Sequence, residues 1–159
     1  MLTDAQKQTL KTFIAANPVW AAMPKNSDTA FFIAAELNKT VSPDFIVWRT
    51  DVTSNEIGNA WSGTDIDGMS ALNMQRLQLL LASAGGGLFD MSRADRRAGF
   101  ENPFGTNVNN TSRVAMRTIW KRKASVVEKL FATGTGTDAS PATMSYESPI
   151  SYQEVESAF

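Results

Sequence analysis

Ser112-Arg-Val-Ala-Met-Arg-Thr-Ile-Trp-Lys-Arg-Lys-Ala-Ser-Val-Val-Glu-Lys-Leu-Phe131 runs straight into Ala132-Thr-Gly-Thr-Gly-Thr-Asp-Ala-Ser-Pro-Ala-Thr-Met144, and the change of character between the two decides the fold class. In the first part Val114, Ile119, Val126, Val127, Leu130 and Phe131 recur at helical spacing, which predicts one long helix over about 112–132. The second part has no helical period and little material for a core. Its Gly, Thr, Ser and Pro content predicts an extended arm. A segment of that composition buries too little apolar surface to order alone, so it orders on docking. The expectation is an all-α fold: a compact multi-helix domain over residues 1–132, followed by an extended C-terminal docking arm over residues 133–159.

The rest of the chain supplies further helix signals. Thr3 and Gln6 make a capping box for a helix carrying Leu10, Phe13 and Ile14, which Asn17-Pro18 stops. Val19, Trp20 and Met23 follow in a Pro-bounded turn that packs on the domain. Ser27 is a good N-cap for a helix to about Asn38. That helix is apolar on most faces (Ala30, Phe31, Phe32, Ile33, Ala34, Ala35, Leu37), which predicts a central position. Ser42-Pro43 precedes Phe45-Ile-Val-Trp48; a short helix and a buried strand both fit, and the Pro favours the helix. Thr53 and Glu56 make a second capping box, for a short helix with Ile57, Ala60 and Trp61.

Ser70 caps the clearest helix, about 71–84, with Leu72, Leu77, Leu80, Leu81 and Ala84 as its apolar stripe; Gly85-Gly86-Gly87 ends it. Ser92 and Asp95 point to a helix of about 93–100 that carries Arg93, Arg96 and Arg97. Residues 102–110 read as a loop, and Ser151 with Glu154 caps one last helical turn. The four Trp residues are either core anchors or interface hot spots.

Composition removes several kinds of chemistry. The 159 residues suit one domain, and 43% hydrophobic with 19% charged content makes it globular. The chain has no cysteine, so disulfides, thiolate zinc ligation and a cysteine nucleophile are out, which fits assembly in a reducing cytoplasm. It has no histidine, so the usual general base, metal ligand and pH switch are missing. No apolar run is long enough to span a membrane, and the polar Thr3–Lys11 stretch is unlike a signal peptide.

The motifs that remain are weak. Gly134-Thr-Gly-Thr137 lacks the Lys-Ser/Thr of a phosphate loop. Asp65 and Asp67 sit in a Gly-bearing turn, but Arg76 and Gln78 stand where a calcium loop needs its bidentate Glu. The expectation is no catalytic residue, no metal and no cofactor.

Charge is unevenly placed. Residues 1–90 carry a net −3, residues 91–129 a net +6 and residues 130–159 a net −4. A basic block followed by an acidic arm suggests an arm of one copy lying on another, but charge alone favours a solvated basic helix and a solvated tail, because surface ion pairs contribute little. Arg113, Arg117 and Lys121 are spaced i, i+4, i+8 and share a face of the helix expected over about 112–132. With Arg93, Arg96 and Arg97 they are candidate residues facing DNA phosphates or a neighbouring subunit.

The stretch Glu128-Lys-Leu-Phe-Ala-Thr-Gly-Thr-Gly-Thr-Asp-Ala-Ser-Pro-Ala-Thr-Met144 resembles a family of small proteins encoded among the virion-assembly genes of tailed bacteriophages. Met1-Leu-Thr-Asp-Ala-Gln6, Asn26-Ser-Asp-Thr-Ala30, Ser42-Pro-Asp-Phe-Ile-Val-Trp-Arg-Thr50 and Ser151-Tyr-Gln-Glu-Val155 extend the resemblance from one end of the chain to the other. The resemblance implies a phage structural protein located in the virion and assembled in the host cytoplasm. A head-to-tail adaptor, or connector, fits best: a small, mainly helical subunit of a ring beneath the portal, using an extended terminus as a grip.

The expected partners are then further copies of the chain, the portal and tail proteins, and packaged DNA contacted without sequence preference, with no membrane. The expected docking residues are Thr133, Gly134, Gly136, Pro141, Met144, Tyr146 and Ile150. A capsid decoration or cement protein, a tail-completion protein and a small DNA-binding regulatory protein are the alternatives.

Overall fold

In the computed structural model, which describes residues 1–83 and 87–159, the chain starts with three helices: α1 (Asp4–Ala16), α2 (Pro18–Ala21) and α3 (Ser27–Leu37). Two short strands, β1 (Ile46–Trp48) and β2 (Val52–Thr53), lead into α4 (Ser54–Asn59), α5 (Gly63–Asp67) and α6 (Ala71–Ala82). Then come β3 (Leu88–Phe89), α7 (Ala94–Glu101), a 3-10 turn (Asn102–Phe104) and α8 (Thr111–Ile119). The chain ends with β4 (Lys121–Lys123), α9 (Val126–Leu130), the hairpin strands β5 (Ala132–Thr133) and β6 (Thr143–Met144), and α10 (Tyr152–Glu156).

Helices make up 52% of the described residues and strands 11%, in several small sheets, so the fold mixes helix and strand and the all-α expectation is corrected. Two readings fail for identifiable reasons. Ile46-Val47-Trp48 is a strand instead of the favoured helix, because two β-branched side chains and an aromatic fit a pleated, half-buried surface. The single helix over 112–132 is in fact α8, β4 and α9. Its interruption is written in Ser125 and Glu128, which form a capping box and so start a new helix inside the apolar period. Thr3/Gln6, Thr53/Glu56 and Ser151/Glu154 form the other three capping boxes, as their spacing predicts. The expected end of α6 at Ala84, and Gly85-Gly86, lie outside the described residues.

The chain divides into two compact units, residues 1–47 with 123–159, and residues 48–122. The expected boundary after residue 132 is not where it divides. In unit 1 the core joins Leu10 and Ile14 of α1, Ala30, Ile33, Ala34 and Leu37 of α3, and Val127 of α9 to Tyr146, Ile150, Val155 and Ala158. Burying each large apolar side chain there contributes about 2 kcal/mol. Residues 133–159 are therefore a wall of this core and not a free arm.

The hairpin pairs Ala132 with Met144 and Thr133 with Thr143. Its loop clasps the strand segment of unit 1: Ile46 N donates to Gly136 O (2.8 Å) and Ala142 N donates to Ile46 O (2.9 Å). Gly136 has φ +65°, and a Cβ there would lie 2.1 Å from the Phe45 ring, so glycine is required twice over.

Unit 2 has its own core of Val52, Ile57, Leu77, Phe89, Met91, Phe100, Met116 and Trp120. β2 and β3 pair antiparallel, with Val52 opposite Phe89 and Thr53 opposite Leu88. Among the described residues no helix is long and apolar enough to cross a membrane.

Candidate functional site

The seven expected docking residues lie close together in unit 1, but mostly facing inward. Pro141, Tyr146 and Ile150 are buried, and Met144 packs on Val47, Ala124 and Ala142. Asn38 holds Ile150 in place, its Nδ2 donating to Ile150 O (2.9 Å) and its Oδ1 accepting from Ile150 N (2.8 Å). Tyr146 meets Phe131 edge-on at 5.6 Å and its hydroxyl donates to Glu154 (3.2 Å). Burial, with the Glu154 carboxylate beside it, pushes the Tyr146 phenol up from its ordinary value. Gly134, with φ +124°, lies so close to Ala142 that a Cβ would come within 3.1 Å of its Cα. Thr133 is exposed in the hairpin.

The expected cationic face is also rearranged. Arg113 and Arg117 lie on α8, whereas Lys121 lies on β4, so the three do not share one helix face. Arg113 is only 8% exposed. Its Nη2 donates to Glu101 Oε2 (2.7 Å), and another of its N–H groups donates to Gly105 O. Arg117 grips the same carboxylate with two bonds, of 2.6 and 2.8 Å. Burial opposes ionisation of Glu101, yet its bonds to Arg117 and Arg113 outweigh this and hold its carboxyl below the usual range.

Arg97 stacks on the Trp48 ring at 3.9 Å and donates to the carbonyls of Met91 and Ser92; burial lowers its pKa. Arg93 is paired with Asp95 (2.7 Å) and Arg96 donates to Ser83 (3.2 Å). Arg97, Arg113 and Arg117 brace unit 2 from within, whereas Arg93 and Arg96 are engaged at its surface. Asp65, one of the turn carboxylates, accepts from Ser112 N, Ser112 Oγ and Asn110 Nδ2, which ties α5 to the start of α8. Among the described residues no three acidic side chains converge as metal ligands would.

Two other faces stand out. On α3 the inward stripe is filled by Ala30, Ile33, Ala34 and Leu37, which leaves Phe31 56% and Phe32 46% exposed. Tyr152 covers one side of the Phe31 ring by stacking at 3.9 Å. Asp28 is exposed one turn before Phe32, and Glu36, bonded to Lys39 at 2.5 Å, follows one turn after. Glu156, fixed by Ser27 Oγ (2.8 Å), adds a further negative charge.

On α6 Leu77 points inward, while Leu72 and Leu79 are 57% and 64% exposed. The expected stripe thus loses Leu72 to the surface. Arg76 lies between them along the same face, and a groove of about 420 Å³ beside it is lined by Arg76, Leu79, Leu80, Gly99, Asn102 and Pro103.

The sequence holds the signal for both faces. α3 has more apolar residues than one helix face accommodates, and α6 has a leucine at almost every position from 77 to 81. Exposed apolar clusters of this kind, rimmed by charge, mark interaction surfaces. No family model, curated protein or solved structure matches the chain at a significant level.

Proposed function

We propose that the chain acts by binding, without catalysis, as a structural protein of a tailed-bacteriophage virion: a subunit of the head-to-tail adaptor ring between portal and tail. The end-to-end resemblance in sequence supports the setting. The observation that carries the role is the pair of exposed apolar faces, on α3 and on α6, with different charged rims. A closed ring is a heterologous assembly, and each subunit needs two different surfaces.

The proposal assigns no gripping role to a free arm, because Ala142, Tyr146, Ile150 and Val155 are committed to the core of unit 1. Nor does it assign DNA contact to Arg113 and Arg117, whose charges are engaged by Glu101. Partners dock on folded surface. Copy number per purified virion, measured by quantitative mass spectrometry against the major capsid protein, tests this reading. About a dozen copies, a number consistent with a closed ring on the portal axis, is the expected result. Hundreds of copies would move the protein to the shell as decoration, and its absence from the particle would overturn the structural role.

A further inference from the structure

We infer that the α3 face of one copy packs against the α6 face of a second copy, with Phe32 of the first seated over Arg76 and between Leu72 and Leu79 of the second. The inference rests on the ring reading and names the surfaces that would build the ring. It starts from the arrangement of the two rows. Asp28, Phe32 and Glu36 follow one another at four-residue spacing, so an aromatic ring stands between two acids. Leu72, Arg76 and Leu79 follow at spacings of four and three, so a cation stands between two leucines. At about 1.5 Å per helical residue the rows span about 12 and about 10.5 Å, so they are of similar length. Laid together, they place a guanidinium on an aromatic face, near the Asp28 carboxylate and the Glu36–Lys39 pair, and the leucines beside the ring.

Charge selects this pairing over its rivals. Two α3 faces brought together would oppose Asp28 and Glu156 to their own copies. Two α6 faces would oppose Arg76 to Arg76, with no acidic side chain among the groove-lining residues. The mixed pairing joins Asp28 and Glu156 of one copy to Arg76 of the other. The units as wholes agree: residues 48–122 carry nine basic and seven acidic side chains, a net +2, whereas the remainder carries six basic and nine acidic, a net −3. A mixed contact leaves one face of each kind open at the ends, so it propagates until a ring closes.

The test uses the full chain and size-exclusion chromatography with light scattering over a concentration series. The wild type is expected to self-associate. Phe32→Glu and Leu79→Asp, each alone, are expected to weaken association at least about tenfold, as loss of a central contact does. Mixed in equal amounts, the two variants are expected to form a dimer that grows no further, because each retains the face the other has lost. Circular dichroism checks that both are folded; neither side chain belongs to a core cluster.

Asp28→Arg and Arg76→Glu, both at exposed positions, form a second test in which each weakens association and the double variant restores it. A wild type that stays monomeric at millimolar concentration overturns the inference, as does a mixture that does not pair. An assembly indifferent to these substitutions also overturns it, while leaving the ring reading intact. The ring reading itself stands or falls on copy number in the particle.

Discussion

Each of the two units is closed on itself by different means. Unit 1 is closed by residues far apart in the chain: Leu2 N donates to Glu154 (3.0 Å), Gln6 to Ser145 O (3.2 Å), Ser27 to Glu156 (2.8 Å) and Asn38 to Ile150 O (2.9 Å). Its core cluster is apolar, with Thr29 and Glu128 the buried polar side chains, and these bonds seal the edges where the last segment meets α1 and α3. Unit 2 is closed within one continuous stretch, and arginines reach into it: Arg113 and Arg117 onto Glu101, Arg49 onto Glu56, Arg97 onto Trp48. The first therefore depends on residues 133–159 being in place, and the second on charges being matched.

The largest expected effect follows from the first half of that contrast. Deleting residues 133–159 removes Ala142, Tyr146, Ile150, Val155 and Ala158 from cores they share with Leu10, Ile33, Val47 and Val127. Five buried side chains at about 1–2 kcal/mol each equal the whole stability of an ordinary domain. Amide exchange in α1 and α3 is expected to lose its protection. Retained protection there would mean that the segment is an arm after all.

The second half of the contrast is tested at Glu101. Glu101→Ala leaves Arg113 buried without its counter-charge, and the expected loss is about 3 kcal/mol by urea denaturation. A loss under about 1 kcal/mol would show that water reaches the pair, and the distinction between the units would blur. Gly136→Ala brings the test back to unit 1 with a smaller effect. A Cβ must displace the Phe45 ring, and alanine must adopt φ +65°, together costing about 2 kcal/mol.

These residues also show what the sequence makes legible. Capping boxes at Thr3, Thr53 and Ser151 are local chemistry, readable within four residues, and α1, α4 and α10 start where they stand. The same motif at Ser125 is overshadowed by the apolar period around it, which a helix-strand-helix passage imitates. Strands of two or three residues are too short to display alternation and are fixed by their partners.

The segment after Phe131 reads as unstructured because its apolar residues are sparse and aperiodic. Each fills a gap left by a distant helix, and no local pattern records that. The candidate faces were half legible. The surplus of apolar residues in α3 and α6 is plain, but which of them stay outside depends on the fold. Arg113 and Arg117 read as a free cationic row because Glu101 lies 12 and 16 residues away, beyond any helical repeat.

The smallest effect, and the most specific, concerns pH in unit 2. The Glu56 carboxylate accepts from Arg49 Nη1 (2.7 Å), from Thr53 N (2.8 Å) and from Thr53 Oγ1 (2.9 Å). The Arg49 bond first, and the Thr53 backbone next, lower its pKa from 4.5 to about 2. A carboxyl depressed by folding stabilises fully above its unfolded value. That contribution fades as pH falls from about 4.5 and is gone below about 2.

Glu56→Gln is therefore expected to lower the urea midpoint modestly at pH 7, since the pair is partly open to solvent. The gap between variant and wild type should narrow at pH 3 and close near pH 2. Because Gln keeps an acceptor for Thr53 but loses the charge facing Arg49, a gap that stays constant with pH would assign the site to capping alone. A gap that closes ties it to the arginine.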